Sequence, residues 1–136
     1  MKRRLLWLYQ VLTGLSDGST GVMLLFAPVL TLRLMGVSAD VSALPYLQYI
    51  GAFVLSTGVA CLYGAVLAGR AEVVQRLETV WLLTAITRGL VAVFVAWQVL
   101  DGSLEWGWLT VAATDGALAL LQAIGLMRGW LTYAAA

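Results

Sequence analysis

The chain has 136 residues, 62% of them hydrophobic and only 11% charged, with a mean hydropathy of +0.93. Its apolar runs are long enough to cross a bilayer, so it is expected to be one integral membrane domain over residues 1–136, with no extramembrane domain. A net charge of +1, with no basic cluster beyond the first four residues, leaves no nucleic-acid footprint. The absence of histidine removes bis-histidine haem ligation, most zinc sites and the usual general base of hydrolases, so no metal is expected. The single cysteine, Cys61, excludes an intrachain disulfide and a two-cysteine redox motif.

Four spans are expected at roughly 5–28, 44–68, 77–100 and 106–128, each about 20 residues or more, which is the length a helix needs to cross ~30 Å of hydrocarbon. The fold class is therefore all-α, an integral membrane four-helix bundle with short loops. The first span follows Lys2, Arg3 and Arg4 as a signal peptide would. Asp17 interrupts its apolar run and no small-x-small cleavage pattern follows, so it reads as a retained span. After Pro28, the run from Val29 to Met35 is too apolar for a free loop, and a short interfacial helix ending at Gly36 suits it, with Arg33 reaching toward headgroups. Gly69-Arg70-Ala71-Glu72 begins a small solvated turn of mixed charge before span three.

Positive charge sorts by side. Lys2, Arg3, Arg4, Arg70, Arg76 and Arg128 fall on one face of the membrane and only Arg33 on the other, which places both termini in the cytoplasm. Aromatic residues fit the same topology, with Trp7, Tyr9, Trp81, Trp130 and Tyr133 at the inner boundary and Tyr46, Tyr49, Trp97, Trp106 and Trp108 at the outer one.

Three charged residues lie deep in the spans: Asp17, Arg88 and Asp115. An unpaired Arg at that depth costs from ~3 to above 10 kcal/mol, and its guanidinium fork can serve two carboxylates, so the three are expected to meet as a structural polar core. Their helix faces agree. Gly14, Asp17, Gly18 and Gly21 share one stripe, and so do Ala112, Asp115, Gly116, Ala119, Gln122 and Ala123. Small residues of this kind let helices approach where lipid supplies no hydrophobic drive for association. Span three offers Thr84, Arg88, Ala92 and Ala96, and span two the series Gln48, Ala52, Ser56, Ala60, Gly64 and Ala68, which winds over more than one face. Ser16, Thr84, Thr87 or Thr114 would satisfy leftover donors and acceptors. The local matches Ser16-Asp17-Gly18 and Thr114-Asp115-Gly116 in antiparallel spans hint at an inverted repeat.

Gln48, with Tyr49, Trp106 and Trp108, forms a candidate ligand-lining set near the outer boundary, where a quinone headgroup or an interhelical bond could both use an amide. The ordinary reading of these residues is an interfacial belt. The course Phe26-Ala27-Pro28, Leu34-Met35-Gly36, then Pro45 to Gln48-Tyr49-Ile50-Gly51-Ala52 and Gly58, resembles small four-span DoxX-like membrane proteins. That resemblance implies a bacterial inner-membrane location, and association with quinone-linked sulfur oxidation in part of the group. It carries over no catalytic residue.

Three function classes follow. The first is a noncatalytic accessory or scaffold subunit with no cofactor, partnered by the lipid bilayer and by other membrane subunits or a second copy. The others are a quinone-linked oxidoreductase partner and a small proton-coupled transporter. In the last, one Arg facing two Asp leaves an excess negative charge that a proton or a cationic substrate would cancel. The tiny loops and the lack of reactive side chains favour the first.

Overall fold

A computed structural model describes residues 3–38, 40–68, 70 and 74–135, the last three in backbone only. Lys2, the Gly69-to-Glu72 turn apart from Arg70, and the Tyr133 side chain, all invoked above, lie outside the described residues. The described chain is helical without strands: α1 (Arg3–Phe26), α2 (Pro28–Leu34), α3 (Leu44–Leu67), α4 (Val74–Leu100), α5 (Leu109–Met127) and α6 (Trp130–Ala135). Short 3-10 turns, Val41–Ala43 and Trp106–Trp108, lead into α3 and α5. Three segments are long and apolar enough to cross a membrane: Val41–Leu67, Val74–Leu100 and Trp106–Met127. By composition these fit an integral membrane protein. α1 is not among them, because Gln10, Thr13 and Asp17 interrupt its apolar residues.

Element boundaries follow local chemistry. Pro28 does not end α1 but opens α2, where its missing N–H and fixed φ suit the first helical turn. The break falls at Ala27 (φ −141°, ψ 54°), since a residue before proline is driven out of the helical region. At the other end of α2, Gly36 has φ +71°, and the Gly36 and Val37 amides donate to Arg33 O and Leu32 O at 3.0 and 2.9 Å. This is a Schellman cap, completed by Val37 packing with Leu32 in a small core that includes Leu47 and Trp108. α4 starts three residues before the expected span, at Val74, and α6 was not foreseen.

Asp40 accepts from the Ser42 amide at 2.9 Å and caps the turn into α3, which holds its carboxyl below the usual carboxylate range. The Ser38 amide and hydroxyl both donate to Glu105, which ties the α2–α3 connection to the loop before α5.

The long helices pack as two pairs, α1 with α3 and α4 with α5, joined chiefly along α3–α4. Glycine explains the first pair. A Cβ added at Gly58 would lie 2.8 Å from Gly18 Cα and 2.9 Å from Gly14 O, and one at Gly51 would lie 2.8 Å from Leu24 Cβ. One at Gly21 would collide with the backbone of Leu55. The helices touch backbone to backbone, which bulkier residues forbid. The second pair is looser: a Cβ at Gly89 or Gly116 would meet Ala119 or Ala92 at 3.9 or 3.6 Å, ordinary contact distances. Of the α3 series, Gln48, Ala52 and Ser56 are exposed while Gly64 and Ala68 are buried, as a series that winds around the helix requires. The buried residues of the first half are instead Leu47, Gly51 and Gly58, whose steps of four and seven stay on one side.

Gly58→Ala should lower stability by about 1–3 kcal/mol, as overpacking of a tight contact does, whereas Gly18→Ala, where an added Cβ meets nothing within 4 Å, should stay within about 0.5 kcal/mol of the parent. Thermal unfolding of the two variants in one detergent checks the contrast. The Ser42 amide NMR shift should titrate only as pH falls below the ordinary aspartate range, because a carboxylate held low keeps its cap until it is protonated. Asp40→Ala should abolish that titration.

Candidate functional site: a carboxylate–arginine–carboxylate cluster among three helices

α1, α4 and α5 each contribute one ionisable residue to the interior. Arg88, only 3% exposed, donates from Nη1 to Asp115 Oδ1 at 2.7 Å and from Nη2 to Asp17 Oδ2. Each carboxylate thus takes a different nitrogen of one guanidinium. The α1 backbone closely approaches that of neither α4 nor α5, so the long Arg88 side chain reaches across the space between them. Only an arginine has both the reach and the fork to hold two carboxylates in this way. Cys61 of α3 lies beside Arg88 and Thr13, so its sulfur fills space next to an ion and not within a purely aliphatic core.

The polar interior continues from this cluster toward the end of the molecule that carries the termini. Gln10 lies two turns before Asp17 on α1, Trp81 two turns before Arg88 on α4, and Gln122 two turns beyond Asp115 on the antiparallel α5. A step of seven residues returns to nearly the same face about 10 Å along the axis. Gln10, Gln122 and Trp81 are completely buried. Gln122 Nε2 donates to Thr84 Oγ1 at 2.7 Å, and Thr84 donates to Val80 O. Tyr9 packs its ring on Trp81, with centroids 5.3 Å apart. Gly64 makes room for the Gln10 amide, and Gly125 for the Trp81 ring. The Tyr9 hydroxyl, both amide atoms of Gln10, Trp81 Nε1, Gln122 Oε1 and Arg88 Nε have no protein partner among the described residues.

Of the hydroxyls expected to serve the ions, Thr87 and Thr114 are exposed and bond their own helices, to Leu83 O at 3.0 Å and Thr110 O at 2.8 Å, and Ser16 is exposed. Thr84 is buried but bonds Gln122. Gln10 escaped the sequence reading, although its spacing of seven from Asp17 on an otherwise apolar stretch was a usable signal.

Gln48, Tyr49, Trp106 and Trp108 do not share one pocket. Gln48 Nε2 donates to Leu25 O at 2.9 Å, and Gln48 lines an open groove of about 730 Å³ at the α1–α2 elbow, together with Phe26, Leu30, Arg33, Val41 and Leu44. Tyr49 is exposed and meets Phe53 edge to face at 4.9 Å. Trp106 is exposed, and Trp108 packs against the Leu32–Val37–Leu47 core. Among the described residues no group of three or more His, Cys, Asp or Glu is placed to hold a metal ion.

No protein-family model, curated protein or solved structure matches this chain. Its chemistry therefore rests on the cluster itself. Two carboxylates on one guanidinium carry one negative charge in excess when all three are ionised, and the geometry either fixes three helices or holds one further positive charge.

Arg88→Leu should cost about 3–5 kcal/mol of stability, because it strands two carboxylates away from water. The triple variant Asp17→Asn, Arg88→Leu, Asp115→Asn should recover most of that loss. Thermal unfolding of the single and triple variants tests this, and a single variant as stable as the parent would remove the clamp role.

Proposed function

We propose that this chain is a four-span integral membrane protein acting as a noncatalytic accessory or scaffold subunit within a larger membrane assembly, both termini cytoplasmic. The observation that carries the reading is the double engagement of Arg88: its two terminal nitrogens are both taken by carboxylates. The most deeply placed ions are thereby tied to one another.

Several features support α1 as the fourth span. At 24 residues it measures about 36 Å. Its polar residues Gln10 and Thr13 are buried, while Leu5, Leu8, Leu12, Leu15 and Val22 are exposed. α3, α4 and α5 also present large aliphatic and aromatic side chains outward, among them Phe53, Val59, Leu90, Phe94 and Leu120. Such surfaces suit lipid and neighbouring subunits. Arg3, Arg4, Arg76 and Arg128 belong to the end that carries the termini and Arg33 to the other, which supports the orientation.

A second reading, proton-coupled transport, is favoured by a separate observation. Asp17 and Asp115 are 16% and 21% exposed although Arg88 is sealed, so both carboxylates reach the protein surface while the charge that balances them does not. A DoxX-like, quinone-linked role rests on the sequence resemblance and on Gln48 in its groove.

Native mass spectrometry after gentle extraction from the host membrane should recover the chain in stoichiometric association with other membrane proteins. Recovery only as a monomer or homodimer overturns the accessory role. Proton-dependent uptake in liposomes that is lost in Asp17→Asn would then establish transport, and a co-purified quinone would establish the redox role.

A further inference from the structure

We propose that the groove at the α1–α2 elbow is a binding site for one anionic phospholipid, its phosphate on Arg33 and an acyl chain along the apolar wall. The inference rests on the membrane reading of the chain and adds to it a defined ligand, a position and a selectivity.

The groove exists because of two sequence features. Ala27 before Pro28 breaks the helix and turns α2 away from the axis of α1, and the cap at Gly36 ends α2 after seven residues. α3 enters beside this elbow behind the Asp40-capped turn. The space between, about 730 Å³, falls within the ~300–1,000 Å³ of small-molecule sites. Its wall is apolar almost throughout: Phe26, Leu30, Val41, Leu44 and Pro45 contribute no charge. Phe26 and Val41 are among the more exposed large side chains of the molecule, at 83% and 79%.

Charge selects the occupant. Arg33 is the only ionisable residue in the wall and is exposed. Among the described residues the ion pairs are those of Arg88, so Arg33 has no carboxylate partner. It is also the only Lys or Arg between Arg4 and Arg70. The acids of this end of the molecule, Asp40, Asp101 and Glu105, accept from Ser42, Ser103 and Ser38 and none of them pairs with Arg33. A guanidinium without a partner beside an aliphatic trough matches a phosphate carrying a hydrocarbon tail, since Arg binds phosphate through paired N–H bonds and the trough accepts the chain. A quinone is uncharged and leaves Arg33 unanswered. A free phosphate leaves the apolar wall unanswered. Gln48, fixed by its bond to Leu25 O, adds an amide to the lining for the polar ester region.

The test is native mass spectrometry of the full chain released from vesicles of equal phosphatidylglycerol and phosphatidylcholine. The parent should retain phosphatidylglycerol over phosphatidylcholine by about tenfold, one bound lipid per chain, corresponding to about 1.4 kcal/mol of preference. Arg33→Gln should erase the preference. Val41→Trp, which fills the groove and leaves every charge in place, should remove the bound lipid, and Arg76→Gln, remote from the groove, should leave retention unchanged. An undiminished preference in Arg33→Gln, undiminished retention in Val41→Trp, displacement by millimolar inorganic phosphate, or retention of a neutral lipid in place of phosphatidylglycerol each overturns the proposal. Failure of the chain to enter vesicles at all would overturn the membrane reading instead, an outcome distinct from incorporation without lipid selectivity.

Discussion

The contact on which the rest of this structure depends is the double ion pair of Arg88. The glycine-lined α1–α3 pair is held by direct contact of its backbones. The α4–α5 pair holds by Ala and Gly at ordinary distances. Between the pairs, α1 and α5 have no close packing of their own, and one long side chain carries charge across the gap. In a low-dielectric interior a guanidinium between two carboxylates is strongly oriented, and any displacement of a helix that opens either bond leaves an ion uncompensated. The cluster thus adds a directional polar constraint to the apolar core of Leu6, Leu77 and Trp81 that also joins α1 to α4.

The two ends of the molecule are closed by different means. At the end bearing the termini, Leu6, Leu77, Trp81 and Leu131 form an apolar core with Tyr9 at its edge. At the other, backbone geometry does most of the work: the α2 cap, the Ser38–Glu105 bonds and the close seat of Gly107 against Met35 O, where an added Cβ would lie 2.5 Å away. A glycine between two tryptophans is required there because the turn leading into α5 rests directly on the end of α2. The polar file from Arg88 to Gln10 and Gln122 joins the first of these ends to the middle of the molecule.

Much of this organisation was readable in the sequence, for reasons that differ by residue. Asp17, Arg88 and Asp115 stood out because charge is rare in so apolar a chain, and their helical spacing gave a shared depth. The α1 stripe of Gly14, Gly18 and Gly21 was visible, but the series from Gln48 to Ala68 on α3 was read as winding over more than one face, and which of its residues meet α1 was not fixed. Gln10 was passed over although it lies seven residues from Asp17, and Trp81, grouped with the inner-boundary aromatics by depth, proves completely buried, because depth does not fix which way a ring points. The break at Ala27 lay one residue from the expected position, since the effect of proline falls on the residue before it. Gln48, Tyr49, Trp106 and Trp108 were grouped by membrane depth, and depth alone does not fix the direction in which a side chain points around its helix.

The sequence separation within the Arg88 cluster also bears on how the chain is made. Asp17 and Arg88 are 71 positions apart, so at ribosomal speeds of about 5–20 residues per second Asp17 emerges roughly 4–14 s before its counter-ion. α3, with the glycine face that α1 requires, emerges in the interval. The glycine face that α1 requires is thus made before the counter-ion of Asp17, and the arrival of α4 and then α5 completes the charge pairing. The bonds of Arg88 are completed after both of the earlier long helices have emerged, and until residue 88 follows them the Asp17 carboxylate is without the counter-ion it has in the finished structure.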